Sequence, residues 1–281
     1  MSTLKQNAAN TNRTFFRANP ILYRLSKIDE RTETDTATYA GIAAKTSYFL
    51  LVTLMGVVVQ LLVKAAYAGE PVLQTITIYE QFTLSLTMKE AVAVGIAMVL
   101  GLICELLGIF VRKTIPVTGT LYSVCQGYVI SFLVFKVLAG YEYLGLEALL
   151  LNVAVVAVMS WLYRSGIIKT DKKYRTVLLS LLIGSVGVGV LSFLGSLIPA
   201  TRPYVQAMME NAALTVMLDL IGLVIAALFL ISDFAAIDSC VQQGYPKEYE
   251  WAAAFGLVFT VLWIYLKILD LLMQFAKKKD D

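Results

Sequence analysis

The stretch "LFLISDFAAIDSCVQQGYPKEYEWAAAFGLVFTVLWIYLKIL", residues 228–269, contains two apolar runs separated by a polar turn, with Asp233 and Asp238 at the end of the first. The first run reaches back to Ala212 and the second runs from Trp251 to Phe275. Crossing the hydrocarbon core of a bilayer takes about 20 mostly apolar residues. Both runs are long enough, so the stretch predicts two consecutive transmembrane helices joined by a short turn.

Working outward, five more segments have the same character: Thr46–Val63, Ala91–Val111, Pro116–Phe135, Leu144–Tyr163 and Thr176–Ala200. The fourth carries Glu147 at its start and Asn152 inside, and the fifth is rich in the Gly and Ser that permit close helix contact. Composition agrees with seven spans: 58% of the 281 residues are hydrophobic and 15% are charged. Soluble domains run at about 45–50% and about 25%. The predicted fold class is an all-α membrane protein, a seven-transmembrane-helix bundle, and the lipid bilayer is its first partner.

Residues 1–45 hold seven Lys/Arg and no apolar run, so they read as a basic, mobile tail, followed by a membrane domain over 46–276 and a short charged C-terminus at 277–281. With the tail inside, the inner face carries 15 of the 23 Lys/Arg. The excess of Lys/Arg on cytoplasmic loops then places the N-terminus in the cytoplasm. The tail also reads as a lipid-surface anchor, since each Lys/Arg near an anionic leaflet contributes about 1 kcal/mol.

Several classes are excluded. There is no His, so the commonest metal ligand and general base are missing. Cys104, Cys125 and Cys240 are far apart and lack CxxC spacing, which makes them buried fillers. No phosphate-binding loop, dinucleotide loop or nucleophile elbow occurs, and nothing suggests a cofactor, nucleic-acid binding or an enzyme.

The acids at span depth carry the functional reading, because an ionisable side chain there costs about 3 kcal/mol or more. Glu105 lies in span two, and Asp219 and Asp233 in span six. The last two are fourteen residues apart, about 21 Å along a helix and about 40° off one face, so they are expected to mark two depths of one pathway. Asp238, five residues beyond Asp233, is expected to be a solvated or capping carboxylate at the helix end. Lys267 in span seven is expected to snorkel towards the interface.

The motifs "ANPILYRL" in the tail, "IPVTGTLYSVCQGYVIS" in span three and "SDFAAID" with "GYPKEYEWAAAFGLVFTVLWIYLKIL" across spans six and seven resemble the Bax inhibitor-1 (transmembrane Bax inhibitor motif) family, on its bacterial YccA-like side. The resemblance implies a bundle with the last helix at its centre and a location in the bacterial cytoplasmic (inner) membrane. It also implies a proton-sensitive pair of aspartates, one each in spans six and seven, latching a calcium leak pathway. Carried over by motif, the span-six aspartate is Asp233, but its partner position holds Thr260, and the family's Glu-Gly of span three is Gln126-Gly127. The dyad is therefore incomplete, and a single carboxylate lacks the mutual repulsion that sets a dyad's proton affinity.

The expected function is a pH-sensitive cation leak channel, Ca2+ or protons being the ions. Asp233, Asp219, Glu105 and Thr260 are its pathway candidates, and Asp238 and Gln126 weaker ones. Asp233 is a weak Ca2+ site at best, because Ca2+ takes 6–8 oxygens. The alternative is a non-conducting protein that binds and modulates other membrane proteins, such as a quality-control protease, through the tail.

Overall fold

The structure, a computed structural model, describes residues 36–67, 69, 71–78, 82–168 and 170–277. Most of the expected tail, and the C-terminus after Lys277, lie outside the described residues. Among the described residues, seven helices are long and apolar enough to cross a membrane. They are α1 (Tyr39–Ala66), α2 (Met88–Phe110), α3 (Ile115–Phe132), α4 (Tyr143–Arg164), α5 (Lys172–Leu197), α7 (Ala212–Gln242) and α8 (Tyr249–Lys277). A nine-residue amphipathic helix, α6 (Arg202–Glu210), joins α5 to α7.

Helix ends follow local chemistry. Thr38 caps α1 by accepting from the Gly41 N–H at 3.0 Å, so the first span begins seven residues before the expected Thr46, inside the segment read as tail. The Asp171 and Asn211 side chains cap α5 and α7 in the same way. Thr87 and Glu90 form a reciprocal capping box at the start of α2, and Lys136 closes on Glu90 at 2.8 Å. Lys136 belongs to a π turn, Leu133–Val137, that extends α3. Pro116 sits in the first turn of α3, where its missing N–H costs nothing.

The connection between α1 and α2 is not a plain loop. It is an antiparallel hairpin of β1 (Val72–Ile78) and β2 (Phe82–Thr87), which lies on the face opposite the tail. The sequence reading anticipated neither this hairpin nor α6.

The last helix is central. Within the apolar window of α8, 67% of residues are buried, against 6% for α5 and 17% for α2. Its tail-side half carries Ala252, Ala253, Ala254 and Phe255, all fully packed, with Phe49 and Tyr122 edge-on to the Phe255 ring. α8 is continuous over 29 residues, long enough for a full crossing.

α1 and α3 cross backbone to backbone. A Cβ on Gly127 would lie 1.9 Å from the Thr53 carbonyl oxygen, and one on Gly56 2.2 Å from that of Val124. Only glycine fits at either position, which is the small-residue packing expected where lipid supplies no hydrophobic drive between helices. Beside the crossing, Ser131 donates to Gln60 at 2.8 Å, so these two buried polar side chains satisfy one another.

Candidate functional site

Asp233 lies nine residues from the end of α7 and is fully buried against the central helix. Thr260 of α8, also buried, donates its hydroxyl to Asp233 Oδ2 at 2.5 Å. The flanking Leu230, Ile231, Ala235 and Ala236 are packed on all sides, so the carboxyl is held in a dry environment.

The other face of Thr260 borders a cavity of about 380 Å³. Its polar lining comes from Glu105 of α2, Tyr122 and Gln126 of α3, and Thr260, and Phe229, Trp263, Leu182 and Val186 contribute apolar wall. Tyr122 and Gln126 are four residues apart and so share one helical face. α2 comes close enough to α3 for Gly101 to rest on the Cys125 side chain.

Glu105 is half-buried, and among the described residues no hydrogen bond or ion pair reaches it. It is a carboxyl at membrane depth facing polar neighbours across a cavity.

An aromatic layer of Phe49, Tyr122, Trp251 and Phe255 lies beneath the cavity, on the tail side. Below that layer the first turn of α8 is clasped. Glu250, fully buried, accepts from Lys45 and from the Thr38 N–H and hydroxyl. Gly41 is pressed so closely on this carboxylate that a Cβ there would stand 2.2 Å from it. Arg112 pairs with Glu248 and stacks 3.8 Å above the Tyr249 ring. The sequence reading used "KEYEW" as a family signature and did not see this clasp. Its signal was Lys45, a lone cation just ahead of an uncharged run.

Asp219 is not in the cavity. It accepts from Lys267 at 2.7 Å and from Gln274 at 2.6 Å, with Asp270 within hydrogen-bonding reach. Asp219 and Asp233 stand at two separate levels along α8, as their spacing implied. One expectation is corrected: Lys267 pairs across to α7 instead of snorkelling. Lys267, Asp270 and Gln274 fall three and four residues apart on one face of α8, a pattern visible in the sequence but without a partner until α7 is placed beside it.

Asp238 is also corrected. α7 continues to Gln242, so the residue sits inside the helix, half-buried, and accepts from the Tyr163 hydroxyl at 2.6 Å. It ties α7 to the end of α4 and caps nothing.

Polar and apolar levels therefore follow one another along α8: the Glu250 clasp, the aromatic layer, the cavity lined by Thr260 and Trp263, then the Asp219 cluster. Ten residues separate Glu250 from Thr260 and seven separate Thr260 from Lys267, about 15 Å and about 10 Å of helix. Among the described residues no three acidic or cysteine side chains converge as a metal-ion cage. A cation at the cavity would instead meet one carboxylate, the Gln126 amide, the Thr260 hydroxyl and water.

No curated protein and no solved structure matches this chain. The family described as Bax inhibitor 1 like matches residues 7–277, which takes in all seven spans. With a central last helix bearing the "KEYEW" turn and its clasp, this multi-pass membrane protein belongs to the Bax inhibitor 1 like family.

Proposed function

We propose that the protein is a gated cation leak pathway, with Ca2+ the best-fitting ion, and that it performs no covalent chemistry. The observation that carries this is Glu105. It is a carboxyl that no hydrogen bond or ion pair reaches among the described residues, facing Gln126, Tyr122 and Thr260 across a cavity at membrane depth, with Asp233 directly behind Thr260. A hard cation takes oxygen ligands, and conduction needs a site weak enough to release what it binds. One carboxylate with neutral oxygens and water meets both conditions.

The aromatic cluster and the Glu250 clasp lie on the tail side of the cavity, where they would act as the gate. The Asp219–Lys267 pair occupies the far side of the same central helix. The Lys/Arg bias supports a cytoplasmic tail face, and the resemblance supports the bacterial inner membrane.

The test is Ca2+ flux into proteoliposomes. Glu105→Gln should reduce wild-type flux several-fold, and Asp233→Asn should change its pH dependence. Wild-type flux no greater than that of empty liposomes would sink this reading.

A further inference from the structure

The cavity beside Thr260 is walled largely by aromatic rings. The Tyr122 and Phe259 ring centroids lie 6.1 Å apart and those of Phe229 and Trp263 6.2 Å apart, and all four rings line the same hollow. Glu105 is the one carboxyl among them, and among the described residues no Lys or Arg lines the cavity. The Glu105 oxygens are open to a water-sized molecule, unlike Ser123 Oγ, which is shut away without a partner.

The cavity also reaches the lipid-facing side of the bundle. Val186 of α5 belongs to its lining and is 56% exposed, and Ile109 of α2 is half-buried on the opposite wall. A small apolar cluster of Leu178, Ile225 and Phe229 joins α5 to α7. The approach to Glu105 that avoids the aromatic layer is therefore sideways, between α2 and α5.

This lining selects a ligand by its chemistry. The face of an aromatic ring attracts a cation within about 6 Å of its centroid, and a carboxylate attracts the same charge. A metal ion uses Glu105 and the neutral oxygens but gives the rings no role. A hydrocarbon chain uses the rings but leaves a carboxyl against apolar atoms, which is costly. A ring-bearing organic ammonium ion uses both, and a mostly apolar hollow of this size with few polar groups suits a small molecule.

We propose that the Glu105 cavity is a binding site for a lipophilic amine that enters from the bilayer between α2 and α5. Its ammonium group pairs with the Glu105 carboxylate, and its ring packs among Tyr122, Phe229, Phe259 and Trp263. An amine that arrives neutral at a protonated Glu105 takes the carboxyl proton and forms the same ion pair. The site shares its cavity with the leak pathway but does not depend on conduction.

Two probes of equal length isolate the charge: 4-phenylbutylamine and 4-phenylbutan-1-ol, each titrated at pH 7 into the full chain in neutral detergent micelles. Relative affinities follow from how each shifts the thermal unfolding midpoint. The amine should bind about tenfold more tightly than the alcohol, as a charge-assisted bond implies. Glu105→Gln should bring the ratio to about one. Equal affinities in the wild type, or a preference for the amine that survives Glu105→Gln, overturn the proposal. If Glu105→Gln does not fold, Trp263→Leu replaces it, and an amine preference left undiminished by loss of that ring overturns the proposal. Binding is read without flux, so a chain that favours the amine but leaks no Ca2+ supports this site and sinks the leak pathway alone. A chain that leaks without favouring the amine overturns this site alone.

Discussion

Replacing Thr260 by valine exchanges a hydroxyl for a methyl of nearly the same size and removes one donor from a fully buried carboxyl. The 2.5 Å separation of Thr260 Oγ1 from Asp233 Oδ2 falls in the range of hydroxyl-to-carboxylate bonds, about 2.5–2.7 Å. Bonds to charged groups contribute about 1.5–3 kcal/mol and neutral ones about 0.5–1.5 kcal/mol. The other contact of Thr260 Oγ1, to the Gly256 carbonyl at 3.2 Å, is longer, and that carbonyl keeps its own helical partner when the hydroxyl is lost. Thr260→Val should therefore cost about 2 kcal/mol, nearly all of it through Asp233. Reversible unfolding in mixed micelles measures this, and the partner is identified by repeating it in an Asp233→Leu background, where the cost should fall below about 0.5 kcal/mol. Equal costs in the two backgrounds would refute the pairing as the source of the effect. A wild-type cost near 1 kcal/mol that persists only with Asp233 present would mean that the carboxyl is protonated.

Gly127→Ala drives a methyl into the Thr53 carbonyl and should cost about 3 kcal/mol or more, whereas Gly184→Ala on α5, where a Cβ meets open space, should be neutral or stabilising by up to about 1 kcal/mol. The same unfolding assay reads both. Lys45→Met strands the fully buried Glu250 and should cost about 3 kcal/mol, with part recovered in Lys45→Met/Glu250→Gln. Lys267→Met leaves Asp219 and Asp270 facing each other without their cation. Its cost should be greatest at pH 7 and shrink as the pH falls, since protonating either acid removes the repulsion. A pH-independent cost would contradict this.

What could be read from the chain alone follows from one-dimensional physics. Span number and type depend on runs of apolar residues against a fixed bilayer thickness, and seven such runs became seven helices. The central place of α8 was legible through its family motif, and burial bears it out. The Thr38 cap that lengthens α1 was also written locally, but no apolar run marks it.

Charge roles were not legible, because each depends on a partner hundreds of residues away or on a neighbouring helix. Asp219, Asp233 and Asp238 look alike as acids on one helix, but 100° of rotation per residue points them at different neighbours. One meets Lys267 and Gln274, one Thr260, one Tyr163. Glu250 and Lys45 are 205 residues apart and form one buried pair. The sequence by itself determined that acids stand inside the membrane, since composition and length decide that. Only the tertiary structure decided which were neutralised by a partner and which, as with Glu105, faced a cavity, because the cost of a buried charge depends on what packs against it in space.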